Sequence, residues 1–136
     1  MKKYPEEVII LLADSVRPEI GGTTTLVGIY TGDNIVIEKD AVKNISESAP
    51  LLLPRITFWA LFRCGEGEFS ISFELSAPSG KQLGSGKIEN ITQAPGQTIN
   101  FTMPISPFPV PELGNYCLKL KLDNEEHKFN FDVLAQ

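Results

Sequence analysis

Residues 56–77 read Ile56-Thr57-Phe58-Trp59-Ala60-Leu61-Phe62-Arg63-Cys64-Gly65-Glu66-Gly67-Glu68-Phe69-Ser70-Ile71-Ser72-Phe73-Glu74-Leu75-Ser76-Ala77. The second half alternates strictly. Phe69, Ile71, Phe73, Leu75 and Ala77 fall on one parity, and Glu68, Ser70, Ser72, Glu74 and Ser76 on the other. A period of two is the period of a strand with one face on a core and one in water. The first half is apolar on both parities, which suits a strand in the middle of a sheet. Its inward set is Ile56, Phe58, Ala60, Phe62 and Cys64, and the glycines flanking Glu66 mark the turn between the two strands.

The same period extends in both directions. Val8 to Ala13 is continuously apolar and reads as a second central strand, while Thr24–Tyr30 and Asn34–Glu38 are predicted to form a hairpin around Thr31-Gly32-Asp33. Residues 39–55 lose the alternation and read as a crossover loop with at most one helical turn. Polar strands near Gly86–Thr92 and Thr98–Met103 have the composition of sheet edges. Four prolines between Pro104 and Pro111 remove backbone donors and predict an extended crossover. Asn115–Asp123 and Glu126–Leu134 close the chain as a hairpin, with Tyr116, Leu118, Leu120 and Leu122 inward opposite Phe129, Phe131 and Val133. Helical periodicity is nowhere sustained. The expectation is a single all-β domain over residues 1–136: an antiparallel β-sandwich, immunoglobulin-like, of eight or nine strands.

With 136 residues the chain is long enough to bury a substantial core without staples. The formal net charge of −5, with no basic run beyond Lys2-Lys3, argues against nucleic acid as a partner. No apolar run approaches the length of a membrane span, and the opening residues lack the pattern of a secretory signal, so a cytoplasmic setting is expected. Cys64 and Cys117 fall on strands of opposite parity and are expected to be free thiols.

Candidate chemistry is sparse. Asp14, Arg17 and Glu19 form the best polar constellation, next to the turn residues Gly21-Gly22. An arginine fork there can hook an anion, or it can pair with Asp14 to satisfy the chain where it leaves the sheet; the structural reading is preferred. Gly84-Ser85-Gly86-Lys87 has a misplaced first glycine, Ile88 in place of a metal-binding hydroxyl and a strand pattern after it, so it is a turn rather than a phosphate loop. His127 is the only histidine; with two distant cysteines it supplies neither metal-ligand spacing nor a triad, and no cofactor is expected. Tyr116, two residues after Gly114, has the placement of a corner tyrosine that pins a sandwich connection, and its role is read as structural, as is that of Trp59.

The segment Ala13-Asp14-Ser15-Val16-Arg17-Pro18-Glu19-Ile20-Gly21-Gly22, with Leu26-Val27-Gly28-Ile29-Tyr30 after it, resembles the opening of a family of short bacterial proteins of unknown function. Ala77-Pro78-Ser79-Gly80 and the stretch from Pro109 to Gly114-Asn115-Tyr116 resemble the later layout of that family. The resemblance implies a sandwich fold and a cytoplasmic setting, and no mechanism. The expected function is a non-catalytic binding or protein-interaction module, with a protein partner or a second copy on an exposed sheet face or edge. The alternatives are an enzyme with an unfamiliar site around Asp14, Arg17 and Glu19, or a glycan-binding sandwich.

Overall fold

The computed structural model describes residues 2–136. Eleven strands run in chain order: β1 (Glu7–Pro18), β2 (Thr24–Ile29), β3 (Asn34–Ile37), β4 (Leu51–Leu53), β5 (Ile56–Arg63), β6 (Gly67–Ser76), β7 (Gln82–Gln93), β8 (Ile99–Ile105), β9 (Phe108–Val110), β10 (Gly114–Leu122) and β11 (Glu125–Ala135). A single 3-10 turn, Lys39–Val42, lies in the crossover after β3. The first sheet has the order β2-β1-β5-β8, the second β3-β11-β10-β6-β7, and β4 pairs with β9 in a small ribbon.

The sheets stack through their apolar faces. Leu12, Phe58, Ala60 and Phe62 of the first sheet and Leu75, Leu118, Leu120, Phe131 and Val133 of the second belong to one buried cluster. The Phe58 ring lies 5.7 Å from that of Phe131 and 6.1 Å from that of Phe129. Each such side chain contributes about 1.5–3 kcal/mol on leaving water, so this contact layer dominates folding. The fold is all-β, as the sequence indicates, with β1 and β5 in the interior of their sheet and the polar β7 and β8 at edges.

Several details differ from expectation. The two extra strands are β4 and β9, too short to show a period. They turn the proline-rich segment from a free crossover into a paired one, with Pro109 opposite Leu52, and Pro104 sits within β8 opposite Thr57. Proline forbids donation but not a place at the rim of a sheet.

Thr24–Tyr30 and Asn34–Glu38 are not a hairpin. β2 folds back on β1 through the turn at Gly21-Gly22, whose φ values are +95° and +86°. After Gly32 the chain instead crosses to the opposite sheet, where β3 pairs in parallel with β11. The driving force is burial: Ile35 and Ile37 are both removed from water there. Cys64 is also displaced from its expected place. It lies beyond the end of β5 with φ +63° and is exposed, so the inward parity stops at Phe62. Among the described residues no disulfide is formed, and no helix is long and apolar enough to cross a membrane.

Candidate functional site

Two surfaces carry the residues singled out by sequence. The first is a cleft of about 770 Å³ at one margin of the sandwich, floored by Ile35, Ile37, Leu51 and Leu53. Asp14 reaches it because β1 alternates: Leu12 points into the core, and Asp14, two residues on, points the same way where the core ends. Its Oδ1 accepts a hydrogen bond from the Tyr30 hydroxyl at 2.8 Å. Its backbone carbonyl accepts from Arg55 Nε at 3.1 Å and from Thr57 Oγ1 at 3.2 Å. Gly28 leaves room for the carboxylate, since a Cβ at that position would sit 2.5 Å from Asp14 Oδ2. Burial and then the hydrogen bond to the Asp14 carboxylate push the Tyr30 phenol up to about 12, so it acts as a donor rather than a base.

Asp14, Arg17 and Glu19 do not converge. Residues 14 and 17 differ in parity, so Arg17 stands on the other face of β1, opposite Thr25. It makes a loose ion pair with Glu19 at 3.8 Å, the two side chains being 65% and 42% exposed. Such a pair contributes little. The partner of Asp14 is therefore Arg55, which sequence reading missed because nothing in its spacing points 41 residues back. Among the described residues Arg55 forms no ion pair and no hydrogen bond through its terminal nitrogens.

The second surface is the outward face of the first sheet. Cross-strand partners share a face, so Ile9 with Leu61, Leu11 with Trp59, and Ala13 with Ile29 form an apolar field extended by Val27, in which Ala13 and Leu61 are buried. Val27 and Ile29 are each 43% exposed. Trp59 lies half-buried in this field, and among the described residues its enclosed Nε1 has no acceptor. The outward face of the second sheet is the opposite in character, pairing Lys119 with Glu74 and Lys128, and Lys121 with Glu126.

The remaining candidates are structural in geometry. The Tyr116 hydroxyl donates to the Glu112 carbonyl at 2.5 Å, tying β10 to the connection before it. Burial pushes its phenol up to about 12. Gly84-Ser85-Gly86-Lys87 is not the turn expected: it lies within β7, with its backbone in the ladder to β6. His127 is half-buried opposite Leu120. No group of His, Cys, Asp and Glu among the described residues has the arrangement of a metal site.

Residues 8–133 match the model of a family of unknown function, DUF6941. No curated protein matches the sequence. Among solved structures, the chain is similar to an alkylpurine DNA glycosylase from Pseudomonas fluorescens, with 11% identity and a TM-score of 0.45 over 95% of this chain and 31% of that one. It is similar to a β-glucosidase from Listeria innocua at 9% identity and a TM-score of 0.41, over 95% of this chain and 16% of the enzyme. The chain thus spans less than a third of either enzyme. An immunoglobulin-like protein from Pseudomonas aeruginosa is matched over 98% of this chain and 96% of its own, at 11% identity and a TM-score of 0.44.

Proposed function

The chain belongs to the DUF6941 family, whose function is unknown, and from that premise we propose that it is a non-catalytic protein-interaction module of the bacterial cytoplasm, docking a partner polypeptide on the outward face of its first sheet. The observation that carries this reading is the contrast between the two outward faces. Ile9, Leu11, Val27, Ile29 and Trp59 reach water on one sheet, around the buried Leu61, where the other presents Lys119, Lys121, Glu74, Glu126 and Lys128. A sheet face in water ordinarily carries the second kind of surface, and contiguous apolar area on a folded domain marks a contact.

Several features support the non-catalytic half of the reading. Asp14, Arg17 and Glu19 do not meet. The phenol beside Asp14 is held protonated. Trp59 is half-buried rather than displayed as a stacking platform, which favours polypeptide over sugar. Two free thiols accord with a reducing compartment.

The test compares wild type, the double variant Val27→Lys/Ile29→Lys, and the control Lys121→Glu on the opposite face, in affinity capture from a bacterial lysate and in light scattering of the purified proteins. A partner, or a second copy, held by wild type and by the control but lost by the double variant with unchanged circular dichroism supports the face. Retention by all three, or by none, refutes it.

A further inference from the structure

The cleft beside β3 has a property that the apolar field lacks: it runs along an open strand edge. Ile35, Val36, Ile37 and Glu38 line it consecutively. A cavity over the face of a strand meets alternate residues, whereas one beside its edge meets successive ones. The other edge of β3 is taken by β11. In that parallel ladder Asp132 N donates to the Asp33 carbonyl, Gln136 N to the Ile37 carbonyl, and Lys39 N to the Gln136 carbonyl. The odd residues of β3 therefore turn their backbone groups toward β11, and Val36 turns its N–H and C=O toward the cleft. Val36 lines the cleft, and as a residue it is 50% exposed.

A backbone donor and acceptor side by side on one residue match another backbone, and the commonest occupant of such an edge is an added strand. The walls determine what kind of strand. Leu51, Leu53 and Ile37 offer apolar contact to its side chains, and Ala41, in the 3-10 turn directly after β3, lies on the same lining. On the same lining Arg55 is oriented by its Nε bond to the Asp14 carbonyl, with its terminal nitrogens unpartnered among the described residues. A guanidinium in that state complements a carboxylate in bidentate fashion. Asp14 and Glu38, on the same lining, disfavour further acids upstream.

We propose that this cleft binds the C-terminal segment of a polypeptide, which adds as a strand to the free edge of β3 through Val36 while Arg55 takes its terminal carboxylate. The site is separate from the apolar face of the first sheet, and neither reading depends on the other.

The probe is a random hexapeptide library lacking Asp and Glu, prepared once with free C-termini and once amidated, with octanoate as a carboxylate that has no peptide backbone. Amide hydrogen exchange followed by NMR first reports Val36 in the free protein, where it is expected to exchange faster than Ile35 and Ile37. Peptides selected from the free-acid library are expected to slow exchange at Val36 and to bind at least ~10-fold more tightly than their amidated forms, a difference that Arg55→Gln abolishes. Equal binding of acids and amides refutes the carboxylate contact. Binding without protection of Val36, binding of octanoate in preference to the peptides, or selection of no peptide refutes strand addition. Arg55→Gln leaves Val36 unchanged, and so separates loss of the anion contact from loss of the fold.

Discussion

The carboxylate of Asp14 lies over Gly28, which takes φ +68° on the neighbouring strand and leaves no space for a Cβ beneath Oδ2. The glycine therefore serves twice, once for its dihedral and once for its missing side chain. Gly28→Ala is expected to lower stability by about 1–3 kcal/mol from the strained dihedral alone, seen as a lower urea midpoint with an unchanged slope. It should also displace Asp14 and bring the Tyr30 phenol back toward the ordinary range. A variant as stable as wild type, with Tyr30 still titrating high, contradicts this packing.

Tyr30 and Tyr116 set the alkaline limit. Burial pushes both phenols up to about 12 in the folded chain, against ~10 once unfolded, so the unfolded chain loses these protons first. Their contribution is complete below pH ~10 and declines as pH rises toward ~12. Urea midpoints measured between pH 8 and 11 should fall for wild type and fall less steeply for Tyr30→Phe. Tyr116→Phe should in addition cost about 0.5–1.5 kcal/mol at neutral pH through the lost bond to Glu112.

Acid sensitivity should centre on Asp123, in the tight turn between β10 and β11. The hydrogen bond from Lys2 Nζ, at 2.7 Å, and that from the Ser70 N–H, at 2.9 Å, hold its carboxyl below the ordinary carboxylate range. A depressed folded value means that this stabilisation is present at neutral pH and disappears as pH falls through the carboxylate range. Carboxyl NMR should place Asp123 below an exposed aspartate, and Asp123→Asn should flatten the acid side of the stability profile. An Asp123 that titrates with the exposed carboxylates counts against the turn anchor.

Among the described residues, the buried donor of Trp59 has no acceptor. Trp59→Phe removes that donor and keeps an aromatic ring, so the expected stability, read by circular dichroism, lies within about 1 kcal/mol of wild type or above it. A loss of several kcal/mol would mean that the packing of the indole outweighs its unpaired donor.

Legibility followed the period-two pattern and stopped where partner choice began. The buried parity of β5, the half-solvated β6 and the closing hairpin of β10 and β11 are readable because each strand displays its own alternation. The Thr31-Gly32-Asp33 turn misleads because turn chemistry specifies a reversal and leaves open which sheet receives the next strand. Asp14 and Arg17 are separated by the same parity rule that identified β6, once β1 is known to run on to Pro18. Arg55 had no such signal: only the register of β1 on β5 brings it to the Asp14 carbonyl.

The parallel pairing of β3 with β11 bears on how the chain is made. Along the strand, Asn34 to Ile37 take their register against Asp132 to Ala135. A ribosome delivers β1, β2 and β5 early enough for the first sheet to assemble, while β3 waits for nearly the whole remaining sequence. Pairing over such a separation is slow, so the nascent chain holds the core faces of Ile35 and Ile37 uncovered through most of synthesis. A chaperone that shields these residues, or a stall that shortens the product by its last strand, would therefore act on the same four-residue segment.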